Sequence, residues 1–111
     1  MRERHELELR RGLVTLAALS ALRTPTYGYS LREALSERGL EVDQGTLYPL
    51  LRRLDEQGLL LSDWNTEGPR PRKYYRLSPA GETVLGSLRE EWRELARVVG
   101  DLLEHPIGEG R

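Results

Sequence analysis

Two groups of donor side chains stand out as residues that could bind an anionic partner. The first group lies between Gln44 and Arg53. The second group lies between Gly68 and Arg76, a stretch that contains no acidic residue. Arginine and lysine donate hydrogen bonds to phosphate oxygens, and arginine and glutamine also pair with the edges of guanine and adenine. Both groups therefore favour recognition of nucleic acid. The first group comprises Gln44, Thr46, Tyr48, Arg52 and Arg53, and the second comprises Arg70, Arg72 and Lys73.

Other chemistries find little support in the 111 residues. The chain has no cysteine, and its two histidines, His5 and His105, stand near opposite ends without a carboxylate cluster, so no metal site or other cofactor is expected. It contains no Ser-His-Asp grouping and no glycine-rich phosphate loop, which argues against an enzyme. The N-terminus is charged and no apolar run approaches about twenty residues, so we expect a cytoplasmic protein without a membrane segment.

The net charge of the chain is −1, which is close to zero, but the charged residues are unevenly distributed along the sequence. The basic stretch around Arg70 is followed, from Leu77 onward, by a segment in which acidic residues outnumber basic ones. This asymmetry suggests that one part of the chain faces an anion while another part does something else. Charge alone leaves open that the asymmetry is an ordinary fluctuation.

The patterns predict a mainly α-helical fold with one small β-hairpin. A first helix is expected over about residues 3–22, with Leu9, Leu13 and Leu16 on one stripe. Thr26 can cap a second helix over about 27–38, which stops at Gly39. Asp43 caps a third helix that ends before Gly58. A hairpin of two strands over about 59–77 and a long final helix follow.

The predicted third helix separates an apolar face from a donor face. Leu47, Leu50, Leu51 and Leu54 recur at helical spacing and should be buried. The opposite side carries Gly45, Pro49, Arg52, Arg53 and Glu56, flanked by Thr46 and Tyr48. The two arginines could contact bases or phosphates, or simply be solvated. Tyr48 could reach DNA or pack against the hairpin, and Gln44 could read adenine or merely start the helix.

The hairpin and the final helix carry further candidates. Tyr74 and Tyr75 point to opposite faces of their strand, so one is core, and the sequence does not say which. Ser78-Pro79 is a strong helix start. The helix after it has an apolar seam of heptad character, which predicts pairing with a second copy. The seam consists of Leu85, Leu88, Trp92, Leu95, Val99 and Leu102.

Three helices followed by a basic hairpin are the plan of a winged helix-turn-helix, in which the third helix enters the major groove. Three blocks of residues also resemble the phenolic-acid decarboxylase regulator (PadR) family, specifically its short members with a single C-terminal helix. The resemblance covers nearly the whole chain. The blocks are Tyr27-Gly28-Tyr29-Ser30-Leu31, then Gly45 to Leu54 with Gly58-Leu59, then Arg70 to Ser78 with Gly81.

The resemblance implies a winged-helix repressor that dimerises through its first and last helices, often under control of a small-molecule effector. We therefore expect a DNA-binding domain over 1–77, a dimerisation helix over 78–105 and a flexible tail over 106–111. The dimer interface would use Leu9, Leu13 and Leu16 together with the seam. By the same resemblance, one of Tyr27 and Tyr29 donates to a phosphate while the other packs.

Three alternatives stay open. Trp92 could fill the dimer interface, or it could line a cleft with Leu9, Leu13 and Leu16 where a flat aromatic effector stacks. The basic wing could engage an acidic protein rather than DNA. The chain could also be a multidrug sensor in which ligand recognition dominates and DNA binding is the output.

Overall fold

A computed structural model describes residues 3–108 of the chain. Its helices are α1 (Arg4–Arg11), α2 (Val14–Ala21), α3 (Gly28–Glu37), α4 (Gln44–Glu56) and α5 (Pro79–Glu104). Its strands are β1 (Thr26–Tyr27), β2 (Leu60–Asn65) and β3 (Arg72–Leu77), which form an antiparallel sheet in the order β1-β3-β2. The prediction of a mainly helical winged helix-turn-helix with a long last helix is confirmed.

Several predicted helix ends are confirmed by their local geometry. The Asp43 carboxylate accepts the backbone N–H of Thr46 at 2.7 Å, which fixes the start of α4. Ser78 caps α5 in the same way, through the N–H of Gly81 at 2.9 Å. Gly39 and Gly58 have φ values of 100° and 78°, so each ends its helix in the left-handed conformation that favours glycine.

The prediction of one first helix over 3–22 is wrong. The chain turns at Gly12 and Leu13, and α1 and α2 are separate helices. The N–H of Leu13 donates to the carbonyl of Arg10, three residues back, at 2.9 Å. Glycine is a poor helix former, so Gly12 interrupts the helix that the apolar pattern alone predicts.

The role predicted for Thr26 is also wrong. Its hydroxyl donates to the carbonyl of Thr24 at 2.8 Å, and the N-cap residue of α3, which begins at Gly28, is Tyr27. Thr26 and Tyr27 instead pair with Tyr75 and Tyr74 and so add a third strand to the sheet. A two-residue strand has no periodicity of its own and depends on a partner almost fifty residues away.

The core lies between α2, α3, α4 and the sheet. Its largest fully buried side chains are leucines, and the four leucines of α4 that the helical spacing predicts to be buried are all in the core. Tyr75 is the buried member of the tyrosine pair and contributes to this core. The largest fully buried side chains are Leu19, Leu22, Leu31, Leu47, Leu51 and Leu60.

Hydrogen bonds and close packing connect the start of α5 to the rest of the fold, α2–α4 and the sheet, which we call the body. We call this contact the joint. The Ser78 hydroxyl donates to the carbonyl of Gly58 at 2.6 Å, and the Ser78 N–H donates to the carbonyl of Leu59 at 3.1 Å. Gly81 packs so closely on Leu59 that a Cβ at this position would overlap the Leu59 carbonyl oxygen. The base of α5 is therefore fixed against the end of α4.

Candidate nucleic-acid interface

The outer face of α4 is exposed, as its leucine spacing predicts. Gly45, Pro49, Arg52 and Arg53 all face solvent, and neither arginine forms an ion pair among the residues that the structure describes. The helix is continuous through Pro49. Because glycine and proline project little, a flat partner can approach the first turns of α4 closely.

A groove of about 880 Å³ lies between α1, α3 and the start of α4. Tyr29, Gln44, Thr46 and Tyr48 line it, so the structure brings these predicted site residues together. The ring of Tyr48 is half-buried and lies beside Gly28, where a Cβ would be 3.8 Å from Tyr48 Cε1. Tyr48 therefore contacts the start of α3 while still facing the groove.

Asp43 lines this groove as a helix-capping carboxylate. Hydrogen bonds from the Thr46 side chain and then from its backbone N–H hold the pKa of Asp43 below its usual value, and the nearby charge of Arg32 acts in the same direction. Asp43 therefore stays negatively charged and hydrogen-bonded to the first turn of its own helix.

The strand β3 divides the wing's cations between two faces. Arg72 lies on the face of Tyr27 and Tyr74, and its Nη1 donates to the hydroxyl of Tyr29 at 3.2 Å. Lys73 lies on the inner face, 3.7 Å from the Asp55 carboxylate of α4. Arg70 is exposed in the loop between the strands and has no ion pair in the described part of the chain.

The side chains around Arg72 and Lys73 were not predicted from the sequence. Asp55 also accepts a hydrogen bond from Ser62 at 2.6 Å, and Asn65 donates to the hydroxyl of Tyr27 at 2.6 Å. These contacts depend on the register of β2 against β3, which sets Trp64 opposite Lys73 and Asn65 opposite Arg72. Alternating strand faces are the only sequence signal that could have hinted at them.

The heptad seam of α5 is only partly exposed. Leu85 is 5% exposed and Leu88 is half-buried, so both pack mainly against other residues of the same chain. No residue from 89 to 108 is buried, and the apolar side chains in this part form a continuous exposed stripe. We call it the α5 stripe; it comprises Trp92, Leu95, Val98, Val99, Leu102 and Leu103.

A second cavity, of about 380 Å³, opens where α2 meets α5. It brings together Leu13, Leu16 and Trp92, which were predicted to share a site, whereas Leu9 lies on α1, is 71% exposed and does not line it. Arg89 is the charged residue of the lining. The remaining lining residues are Ala17, Ser20, Leu40 and Leu85.

Residues 3–108 contain no helix that is both long enough and apolar enough to cross a membrane. The same residues hold no group of three or more histidine, aspartate or glutamate side chains placed to bind a metal ion.

Comparisons with known proteins identify the relatives of this chain. The profile of the transcriptional regulator PadR-like family matches residues 16–87. The transcriptional regulator Rv3488 of Mycobacterium tuberculosis is 39% identical over 104 residues, which are 93% of this chain and 97% of that protein.

Solved structures give the same result. A PadR family transcriptional regulator from Eggerthella lenta is 48% identical, with a TM-score of 0.87, and the match covers 91% of this chain and 90% of that one. A PadR-like transcription factor from Bacteroides fragilis is 38% identical, with a TM-score of 0.72 and coverage of 90% and 99%. The chain therefore belongs to the PadR-like family of transcriptional regulators, which bind DNA and are not enzymes.

Proposed function

We propose that the chain is a cytoplasmic repressor that binds an inverted-repeat operator as a homodimer. The observation that carries the proposal is a strip of donors from the wing, α3 and the start of α4; the carboxylates of Glu33, Glu41 and Asp43 line the same groove. Arg72 contacts Tyr29, and Tyr29 shares the groove at the start of α3 and α4 with the polar residues of α4. We call this strip the donor surface; it comprises Arg72, Tyr29, Tyr48, Thr46 and Gln44.

In this proposal residues 1–77 bind DNA and α4 is the reading helix. Gly45 and Pro49 allow its first turns to enter the major groove, while Arg52 and Arg53 project from the exposed face towards base edges or phosphates. Arg70 at the wing tip contacts the adjacent phosphates. We assign Lys73 to holding the wing against α4, since the carboxylate of Asp55 already engages it.

Residues 78–105 supply the pairing surface. The α5 stripe exposes six large apolar side chains, among them Trp92 at 45% and Leu103 at 76% exposure. Burying such a stripe against a second copy removes apolar area from water, which stabilises a dimer. Leu9 of α1 is exposed and extends the surface available to the partner. A two-fold dimer presents two reading helices, and its operator must then be an inverted repeat. Of the proposed tail over 106–111, residues 109–111 lie outside the described residues.

DNA binding is tested by fluorescence anisotropy on a labelled duplex from the region upstream of the chain's own gene, over a range of salt concentrations. We expect affinity to fall steeply with salt, because phosphate contacts release counterions. Arg52→Ala should reduce discrimination between operator and scrambled sequence, while Arg70→Ala should weaken binding to both about equally. Arg97→Ala is the charge-matched control, since Arg97 pairs with Glu94 on the side of α5 away from the stripe.

The rival function, a wing that binds an acidic protein, makes a different prediction. In that case neither Arg52→Ala nor Arg70→Ala would change binding to the duplex, and affinity would not distinguish the operator from scrambled DNA. That result would refute the proposal.

Effector control is the second part of the proposal. The cavity beside Trp92 is lined mainly by apolar side chains and is large enough for a planar aromatic molecule. The chain has two tryptophans, and Trp64 is exposed on the wing, so the Trp64→Phe variant leaves Trp92 as the sole reporter. A panel of planar aromatic compounds should include some that quench this fluorescence saturably and shift operator affinity. The absence of quenching across the panel would leave Trp92 a packing role only.

A further inference from the structure

Four side chains from the wing, β1 and α3 form one connected cluster. The Arg72 guanidinium lies 4.5 Å from the ring centroid of Tyr27 while donating to the hydroxyl of Tyr29. The rings of Tyr27 and Tyr29 stack at 6.0 Å with an interplanar angle of 15°. Asn65 at the end of β2 donates to the Tyr27 hydroxyl. The cluster is thus assembled from elements that are distant in sequence.

The two tyrosines have different positions in this cluster. Tyr27 is half-buried, and Tyr74 packs edge-on against it at 5.8 Å. Tyr29 is 52% exposed. Its oxygen accepts the hydrogen bond from Arg72, so its own O–H remains available to donate outward. Tyr27 is therefore the support and Tyr29 the residue that faces a ligand.

Arg72 likewise keeps donors for an external group. A guanidinium has five N–H donors in a rigid planar fork, and Tyr29 takes one of them. The guanidinium also contacts the Tyr27 ring, and this cation–π contact holds Arg72 without consuming a donor. The exposed edges of Arg72 and Tyr29 thus offer adjacent donors and one positive charge.

We propose that Arg72 and Tyr29 bind a single DNA backbone phosphate together, as a pair assembled before DNA arrives. The inference rests on the DNA-binding function proposed above and identifies where the wing and α3 meet the same strand. A phosphate oxygen accepts both donors, and the hydrogen bond from a charged arginine makes the tyrosine O–H a stronger donor. Because the cluster already fixes both side chains, little conformational entropy is lost on binding.

The pairing predicts non-additive effects on DNA affinity. Tyr29→Phe removes only the hydroxyl and should weaken operator binding by about fivefold to tenfold. Arg72→Gln removes the charge and the fork and should weaken binding by at least about tenfold. Once Arg72 is replaced, losing the hydroxyl should matter little, so the double variant should bind within about twofold of Arg72→Gln alone.

Arg70→Gln provides the matched control. Arg70 lies on the same wing but has no contact with either tyrosine in the described structure, so its effect should multiply with that of Tyr29→Phe. Thermal unfolding of each variant checks that the fold is intact, which we expect because Arg72 and Tyr29 are exposed.

A scan of operator duplexes, each with one neutral methylphosphonate, locates the contact. One substituted phosphate per half-site should abolish the effects of both Tyr29→Phe and Arg72→Gln. The inference is overturned if the two substitutions multiply as the control pair does, or if they are silenced by different phosphates. A wild-type chain that binds no DNA would overturn the proposed function and this inference with it, whereas additive variants of a binding chain overturn the inference alone.

Discussion

The joint between the body and α5 predicts that alanine destabilises the protein at Gly81 but stabilises it at Gly86, another position of the same helix. At Gly81 a Cβ would overlap the Leu59 carbonyl oxygen and lie 2.7 Å from Leu77 Cδ1. At Gly86 nothing lies within 4 Å of an added Cβ. Neither glycine has a positive φ, so helix propensity favours alanine at both positions. The difference between the two variants therefore isolates the close packing at the joint.

For Gly81→Ala the steric cost outweighs the helix propensity. Overpacking costs about 1–3 kcal/mol, and this contact is with backbone, which yields less readily than a side chain. Displacing Leu59 also stretches its hydrogen bond from Ser78, worth about 1 kcal/mol, while alanine regains up to about 1 kcal/mol of propensity. The net loss is about 1–3 kcal/mol, which lowers Tm by roughly 5–15 °C.

Gly86→Ala should raise Tm by a few degrees, from about 0.5–1 kcal/mol of propensity. The assay is thermal unfolding followed by circular dichroism at 222 nm, which reports helix content. All variants must be compared at one protein concentration, because the Tm of a dimer depends on it. If Gly81→Ala were as stable as Gly86→Ala, the close contact with Leu59 would not exist and the rigid joint would be disproved.

Three further predictions concern the pairing helix, the start of α4 and the wing. Leu95→Asp should yield a monomer by light scattering and a large loss of operator affinity, because it would bury a charge in the α5 stripe. The control Arg97→Ala should stay dimeric. A dimeric Leu95→Asp would mean that the interface lies elsewhere. Asp43→Ala should lower Tm near neutral pH. Because folding depresses the pKa of Asp43, the Tm difference between wild type and variant should persist above the ordinary pKa of 3.8 and shrink as the pH falls below it. A Tm difference that does not change with pH would refute the role of the charged cap. Lys73→Ala should cost at most about 1 kcal/mol of stability, because the ion pair between Lys73 and Asp55 is about one-third exposed. It should also weaken DNA binding less than Arg70→Ala does. The reverse order in DNA binding would show that Lys73 contacts DNA.

Local signals carried most of the fold prediction. Asp43 and Ser78 cap their helices through their own side chains, and Gly39 and Gly58 adopt the left-handed conformation that glycine permits, so each could be predicted from a few neighbouring residues. The break at Gly12 was missed because the apolar pattern continues across it. The strand at Thr26 was missed because it exists only through pairing with β3.

The candidate site was likewise predictable where it depends on neighbouring residues and not where it depends on residues distant in sequence. The exposed face of α4 follows from the period of its leucines, which bury the opposite side. The sequence could not reveal that Arg72 rests on Tyr27 or that Lys73 is held by Asp55, because both contacts depend on strand register and on the packing of the wing against the body. Leu85 matched the heptad seam, yet it is buried in its own subunit because the base of α5 packs on α2.

The central claim is that two copies of α4 and the wing read an inverted repeat. The most direct test is a hydroxyl-radical footprint of the full chain over the region upstream of its own gene. We expect two protected segments related by a dyad, with centres separated by about 10 base pairs or a multiple of that spacing, and loss of both segments in Leu95→Asp. A single unpaired footprint, or uniform protection without sequence preference, would contradict the account.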